Sequence, residues 1–177
     1  MFFKSFLLLS FLFSTTNTID VASQFPNLSG ETLDGKALTI PADCGGKKTI
    51  VGMAYSQKAQ EAMMTWYEPA FEKFVSKVGM FDYQYDVNLY FVPMFIGLNQ
   101  AMYESTLKDL RKQNRRDLFP YVVFYKGEIT PYETSLSMQE KSSAHIFVLN
   151  EKGEVIHSAK GAYSEKKMEE IEAALSN

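Results

Sequence analysis

The chain has 177 residues, 46% of them apolar and 22% charged, with 18 Lys and Arg against 21 Asp and Glu for a formal net charge of −3. That balance suits an ordinary folded protein large enough to bury a core, and an acidic pI near 5.5 argues against nucleic acid, whose phosphates need a basic footprint. One cysteine and two histidines leave no internal disulfide and no credible metal centre.

The chain begins with a positively charged start, Met1-Phe2-Phe3-Lys4, followed by an apolar stretch from Phe6 to Phe13 interrupted only by Ser10. Small polar residues from Ser14 to Thr18 complete the pattern of an export signal, and the apolar stretch is too short to span a bilayer. Cleavage is expected after Thr18, or as late as Ser23, leaving one domain over residues 25–177 in the periplasm or outside the cell.

Phe25-Pro26-Asn27-Leu28 opens the folded part, and Glu31 to Pro41 reads as a hairpin around Asp34-Gly35, a type I′ turn signal. Ala42 to Lys48 is a loop that carries Cys44. Thr49 to Tyr55 is a continuous apolar run, the pattern of a central strand covered on both faces. Ser56 then breaks the run and is a natural helix N-cap. Ala59, Met63, Trp66, Ala70, Phe74 and Val78 recur on one face, which predicts a helix from Lys58 to Val78, kinked at Pro69 and ended by Gly79.

The connection from Met80 to Asp86 is rich in aromatics that would cover the helix end; a lipid or small-molecule surface at Phe81 to Tyr85 is the alternative. Val87 to Ile96 is a second strand, and Leu98 to Asn114 a second helix with Met102, Leu107 and Leu110 on its core face. The basic end of that helix, from Lys108 to Arg116, is an ordinary partner for the helix dipole. Leu118 to Tyr125 is a third apolar run, and Pro131 to Gln139 reads as a short helix. Ala144 to Asn150 and Val155 to Ser158 form strands about a turn at Glu151 to Glu154, and Ser164 caps a last helix that runs to Leu175.

The hairpin at Asp34-Gly35, the strand from Thr49 to Tyr55, the following amphipathic helix, and the ending from Ile146 through Gly161 resemble the exported, TlpA-type branch of the thioredoxin-like superfamily. Peroxiredoxins share the same opening. The resemblance implies a three-layer α/β/α sandwich with a mixed central sheet and an N-terminal hairpin extension, and residues 98–143 fit it least. Two stretches compete for the strand that follows the family's cis-proline. Pro120 to Glu128 has the proline in place, but no long helix follows it. Phe147 to Ile156 continues through Gly161 into the last helix, so Ala144 falls at the cis-proline position and Pro120 heads an added strand.

Aligned on Ala54, the family's two redox cysteines fall at Gln57 and Gln60. Disulfide exchange needs a thiolate at the helix start, where the dipole lowers its pKa; glutamine offers none, and the cysteines of peroxiredoxins and of copper chaperones of this fold are missing too. What remains is a vestigial site of Tyr55, Ser56, Gln57, Lys58 and Gln60, faced by Ala144 and His145. Free N–H groups at the helix start are left to receive an anionic or backbone group from a partner. Ser56, Gln57 and Trp66, with the ending from Ile146 to Glu165, are also similar to the redox-dead family of mitochondrial ATP-synthase assembly factors and their bacterial relatives.

These resemblances imply an exported, redox-inactive protein that binds a protein or peptide as a chaperone or assembly factor, in peripheral association with a membrane complex and without a cofactor. The alternative is a thiol-dependent oxidoreductase or peroxidase using Cys44, its pKa lowered by Lys47 and Lys48. Against it, Cys44 precedes the strand that the redox site follows. At ~3.3 Å per residue, that strand puts it on the order of 20 Å away, as an inert loop thiol. His157 reads as structural.

Overall fold

The computed structural model describes residues 23–76, 85–112 and 115–176. The export pattern, the helix-ending Gly79 and most of the aromatic stretch lie outside these residues.

The centre of the fold is β3 (Thr49–Ala54), all six residues of which are buried. It pairs in parallel with β4 (Asn88–Ile96), from Thr49 opposite Asn88 to Ala54 opposite Pro93. On its other side it pairs antiparallel with β6 (His145–Leu149), where Met53 faces His145. Adding β1 (Leu28–Thr32), β2 (Ala37–Ile40), β5 (Val123–Gly127) and β7 (Val155–Lys160) completes a mixed sheet in the order β2-β1-β5-β4-β3-β6-β7.

The alternation of side chains along β3 divides the core into two layers. Val51, Met53 and Tyr55 pack with Phe25, Phe147 and Leu149, and with Tyr132 and Leu136 of α3 (Thr130–Leu136). Ile50 and Ala54 pack on the opposite side with α1 (Gln57–Phe74) and α4 (Glu165–Ser176). The periodic residues Ala59, Met63, Trp66, Ala70 and Phe74 are the buried stripe of α1. Trp66 is 1% exposed, and its Nε1 donates to the carbonyl of Gly161 at 2.9 Å, tying α1 to the turn that leads into α4.

Several elements differ from the sequence expectation. α1 ends at Phe74 rather than Val78, because the N–H groups of Val75 and Ser76 converge on the Phe71 carbonyl at 2.9 and 2.8 Å and close the last turn. Tyr85 then covers that end, its ring 5.3 Å from that of Phe74. The hairpin turn is not type I′: Gly35 has φ of 88°, but Asp34 does not take the positive φ that this turn also requires there. Leu33 is drawn into the core, its N–H donating to the Val122 carbonyl at 3.0 Å, so the loop is longer than two residues.

The second helix begins as a 3₁₀ turn, Gly97–Met102, and becomes α2 only over Tyr103–Leu110. The tighter turn leaves Met102 59% exposed, and Tyr103 takes the buried place expected for it. Pro120 lies within another 3₁₀ turn, Arg116–Tyr121, so β5 starts three residues past the proline that was expected to head it. β5 is nonetheless a strand of the sheet, parallel to β4 and antiparallel to β1, and through it the hairpin joins the sheet. The approach is close: a Cβ on Gly30 would sit 2.6 Å from the Phe124 carbonyl oxygen.

Trp66→Ala removes both the largest side chain of the α1 stripe and its bond to Gly161. It is expected to cost about 3–5 kcal/mol, read as a lower urea midpoint; a loss below about 1 kcal/mol would remove Trp66 as the anchor of α1.

Candidate functional site at the start of α1

β3 hands the chain to Tyr55 and Ser56, and Ser56 turns it into α1. Ser56 is extended (φ −138°, ψ 161°), and its Oγ accepts the N–H of Ala59 at 3.1 Å. The same hydroxyl donates to the carbonyl of Lys141, while the Tyr55 hydroxyl donates to the carbonyl of Met138. Two side chains at the end of β3 therefore hold the loop between α3 and β6 against the helix start. Ala144, fully buried beside that loop, accepts the N–H of Gly161 at 2.8 Å. The peptide bond before Ala144 is trans; among the described residues the cis bond is Ile40–Pro41, at the other end of the sheet.

His145 is 1% exposed and lies between Tyr55 and Phe147, with ring centroids 6.5 and 6.4 Å away and interplanar angles of 20° and 8°. Its Nε2 is 3.1 Å from the carbonyl of Glu140. A carbonyl only accepts, so Nε2 carries the proton and Nδ1 is left as a buried acceptor without a partner. Burial, helped by Lys160, holds the imidazole pKa below its ordinary value of 6.5, against the opposing pull of Glu140. Burial likewise raises the Tyr55 phenol, with Glu133 and Glu140 adding to it. Both groups are neutral at pH 7.

The remaining sequence-predicted residues diverge. Gln57 and Lys58 face solvent, and the Gln57 amide donates to Glu61 at 3.3 Å. Gln60 is half-buried on the wall of a cavity beside α1. Tyr55, Ser56, Ala144 and His145 thus gather around the 138–141 loop, and the two glutamines do not join them. That loop's part in the site is carried by main-chain carbonyls, which leave no mark in a sequence.

Cys44 is 6% exposed at the Thr49 end of β3, the end opposite Ser56. Asn88 donates to its carbonyl at 2.9 Å. Burial pushes its thiol up, outweighing a hydrogen bond with Thr49 that acts the other way. The expected lowering by Lys47 and Lys48 does not occur: Lys47 pairs with Asp86 at 2.5 Å, and Lys48 donates to the Leu175 carbonyl at 2.8 Å. Among the described residues, no three His, Cys, Asp or Glu side chains are grouped to hold a metal.

No protein-family model matches the chain, and no curated protein does. Solved structures do. Etrx1, the exposed lipoprotein thioredoxin of Streptococcus pneumoniae, superposes with a TM-score of 0.56 at 12% identity, covering 84% of this chain and 99% of its own. StoA from Bacillus subtilis gives 0.52 at 17% identity, over 82% and 95% of the two chains. The chain has a thioredoxin-like fold. BsSco, of the Sco family of cytochrome c oxidase assembly proteins, is similar to it as well, with a TM-score of 0.54 at 9% identity over 91% of this chain and 99% of its own. In a thioredoxin-like fold the redox dithiol stands at the start of the helix after the first central strand, and here Gln57 and Gln60 stand there.

Two outcomes test this local chemistry. Ser56→Ala removes the cap and the tie to Lys141 and is expected to lower stability by about 1 kcal/mol. The pH response has a definite sign. His145 and His157 both have folded pKa values lowered by burial, so the unfolded chain binds protons first. Their contribution is intact above pH 6.5, the unfolded value, and is lost as the pH falls from there toward the folded pKa values. The urea midpoint should therefore drop between pH 7 and about 5, and less so in His145→Phe, which keeps the ring stack. A midpoint that is flat or rises over this range refutes the assignment of a neutral buried His145 and a neutral, half-buried His157.

Proposed function

We propose that the protein is an exported, redox-inactive thioredoxin-like protein that holds a protein or peptide partner at the start of α1, in the manner of an assembly factor or chaperone. The observation that carries this reading is the replacement of the dithiol by Gln57 and Gln60 while the lone thiol, Cys44, is buried at the far end of β3. Thiol exchange needs an exposed thiolate with a lowered pKa, and Cys44 has the opposite character. The reading of the site as a binding surface draws on the solvent-facing Gln57 and Lys58, whose position in the first turn of α1 suits a backbone carbonyl or an anionic group. Export draws on the N-terminal pattern of Lys4 followed by Phe6 to Phe13. BsSco supplies a precedent in the same fold for a protein described by what it assembles.

In dithiothreitol-driven insulin reduction, the purified protein is expected to give no acceleration over the uncatalysed rate, and Cys44→Ser is expected to match it. Turnover that Cys44→Ser abolishes would overturn redox inactivity and establish the thiol enzyme instead. For the partner, a photo-crosslinker at Gln57 in the native host should capture one dominant protein, and a probe beside Cys44 should not. Equal capture from both ends would remove the α1 start as the binding site.

A further inference from the structure

We propose that a cavity between α1 and α2, separate from the loop-covered face of the α1 start, binds an uncharged, predominantly apolar small molecule such as a long-chain alcohol or a neutral lipid. The cavity has a volume of about 400 Å³, within the roughly 300–1,000 Å³ of ligand pockets. Met63, Tyr67, Phe95, Leu110, Phe119 and Phe124 form its walls. These walls are braced by ring contacts among themselves and with Tyr103 and Phe91 behind them. The Phe95 and Phe124 rings stack at 5.3 Å, Tyr103 meets Phe95 edge-on at 5.4 Å, and the Tyr67 ring leans on Phe91 at 4.2 Å. Collapse into the space would break these contacts, so the cavity is preformed. A space lined this way offers water few partners and favours an apolar occupant.

The polar groups on the wall select against charge. Among the described residues that line it, Arg115 is the cation, and its guanidinium is already engaged by Asp117 at 3.0 Å and Glu68 at 3.2 Å. An anionic head would have to compete with these two carboxylates for the guanidinium, and a cationic head would meet the guanidinium's own charge. Gln60 and Thr106 supply a neutral amide and a hydroxyl suited to a hydroxyl or ester head. Met64, 64% exposed on α1, lines the same space and marks where an apolar chain passes to solvent. Met102, also exposed, stands one helical turn before Thr106. Gln60, placed at a former redox position, thus serves the cavity wall.

The test uses the full chain labelled with carbon-13 at methionine methyl groups and titrated with dodecanol, with dodecanoate as the charged control of equal chain length. The expected result is a saturable one-to-one shift of the Met63 and Met64 methyl signals, with Met53, Met138 and Met168 unmoved. Dodecanoate should bind at least about tenfold more weakly. Leu118→Trp, which fills the cavity from its 3₁₀ wall, should abolish the Met63 and Met64 response while leaving the circular dichroism spectrum unchanged; if this variant does not fold, the wild-type titration alone decides. No saturable shift, a shift shared by all the methionines, or equal binding of dodecanoate would each overturn the proposal. So would an apolar peptide that shifts Met63 and Met64 where dodecanol does not, since that makes the cavity a protein-docking surface.

Discussion

Everything in this molecule is arranged around a strand that has no edge and no exposed face. β3 gives its backbone hydrogen bonds to β4 on one side and β6 on the other. Its side chains go alternately to the α3 layer and to the α1–α4 layer. A strand in that position must be apolar or have its polar groups satisfied, as the Thr49 hydroxyl is by the Lys47 carbonyl, and its backbone can pair in one register only, because a one-residue slip would exchange the two layers. Gly52 shows how tight the fit is: a Cβ there would lie 3.0 Å from the Phe91 ring and 3.2 Å from Ile146. Once β3 is placed, the position of Ser56 and the direction of α1 follow.

The same constraint explains why the α1 start keeps its geometry with Gln57 and Gln60, and no cysteine, in its first turns. Ser56 caps the helix and Tyr55 reaches the loop because β3 ends where it does. Both bonds are structural and need no thiol. His145, on the neighbouring strand, is pressed between two aromatic rings with one nitrogen satisfied and one not. In such surroundings the imidazole is a packing element, and a buried group of this kind contributes to stability chiefly by remaining uncharged.

Much of the fold was legible in the sequence because burial on both faces leaves a plain record. The runs at Thr49, Val87 and Ala144 and the stripe from Ala59 to Phe74 are hydrophobic patterns with few alternatives. The absence of a dithiol was equally plain. What misled was local chemistry overruled by tertiary contact. Asp34-Gly35 has the composition of a two-residue turn, but Leu33 is pulled inward by the entry to β5. Met102 fits a helical period that holds only where the helix is α, and a 3₁₀ turn precedes it. Lys47 and Lys48 stand close to Cys44 in the chain, yet each is committed elsewhere in space. The site's covering loop was illegible for a different reason: it acts through the carbonyls of Met138 and Lys141, which any residue would provide.

The burial of Cys44 sets the kind of bond this protein can form with others. A thioredoxin-like domain with an exposed thiolate can hold another chain covalently, through a mixed disulfide that a second thiol must resolve. Cys44 is enclosed and its thiol pKa is pushed up by burial, so it is poorly placed to serve as such a handle. On the proposed reading, a complex is held by surface complementarity alone, so its occupancy follows concentration and dissociation rate, and the redox state of its surroundings neither locks nor releases it.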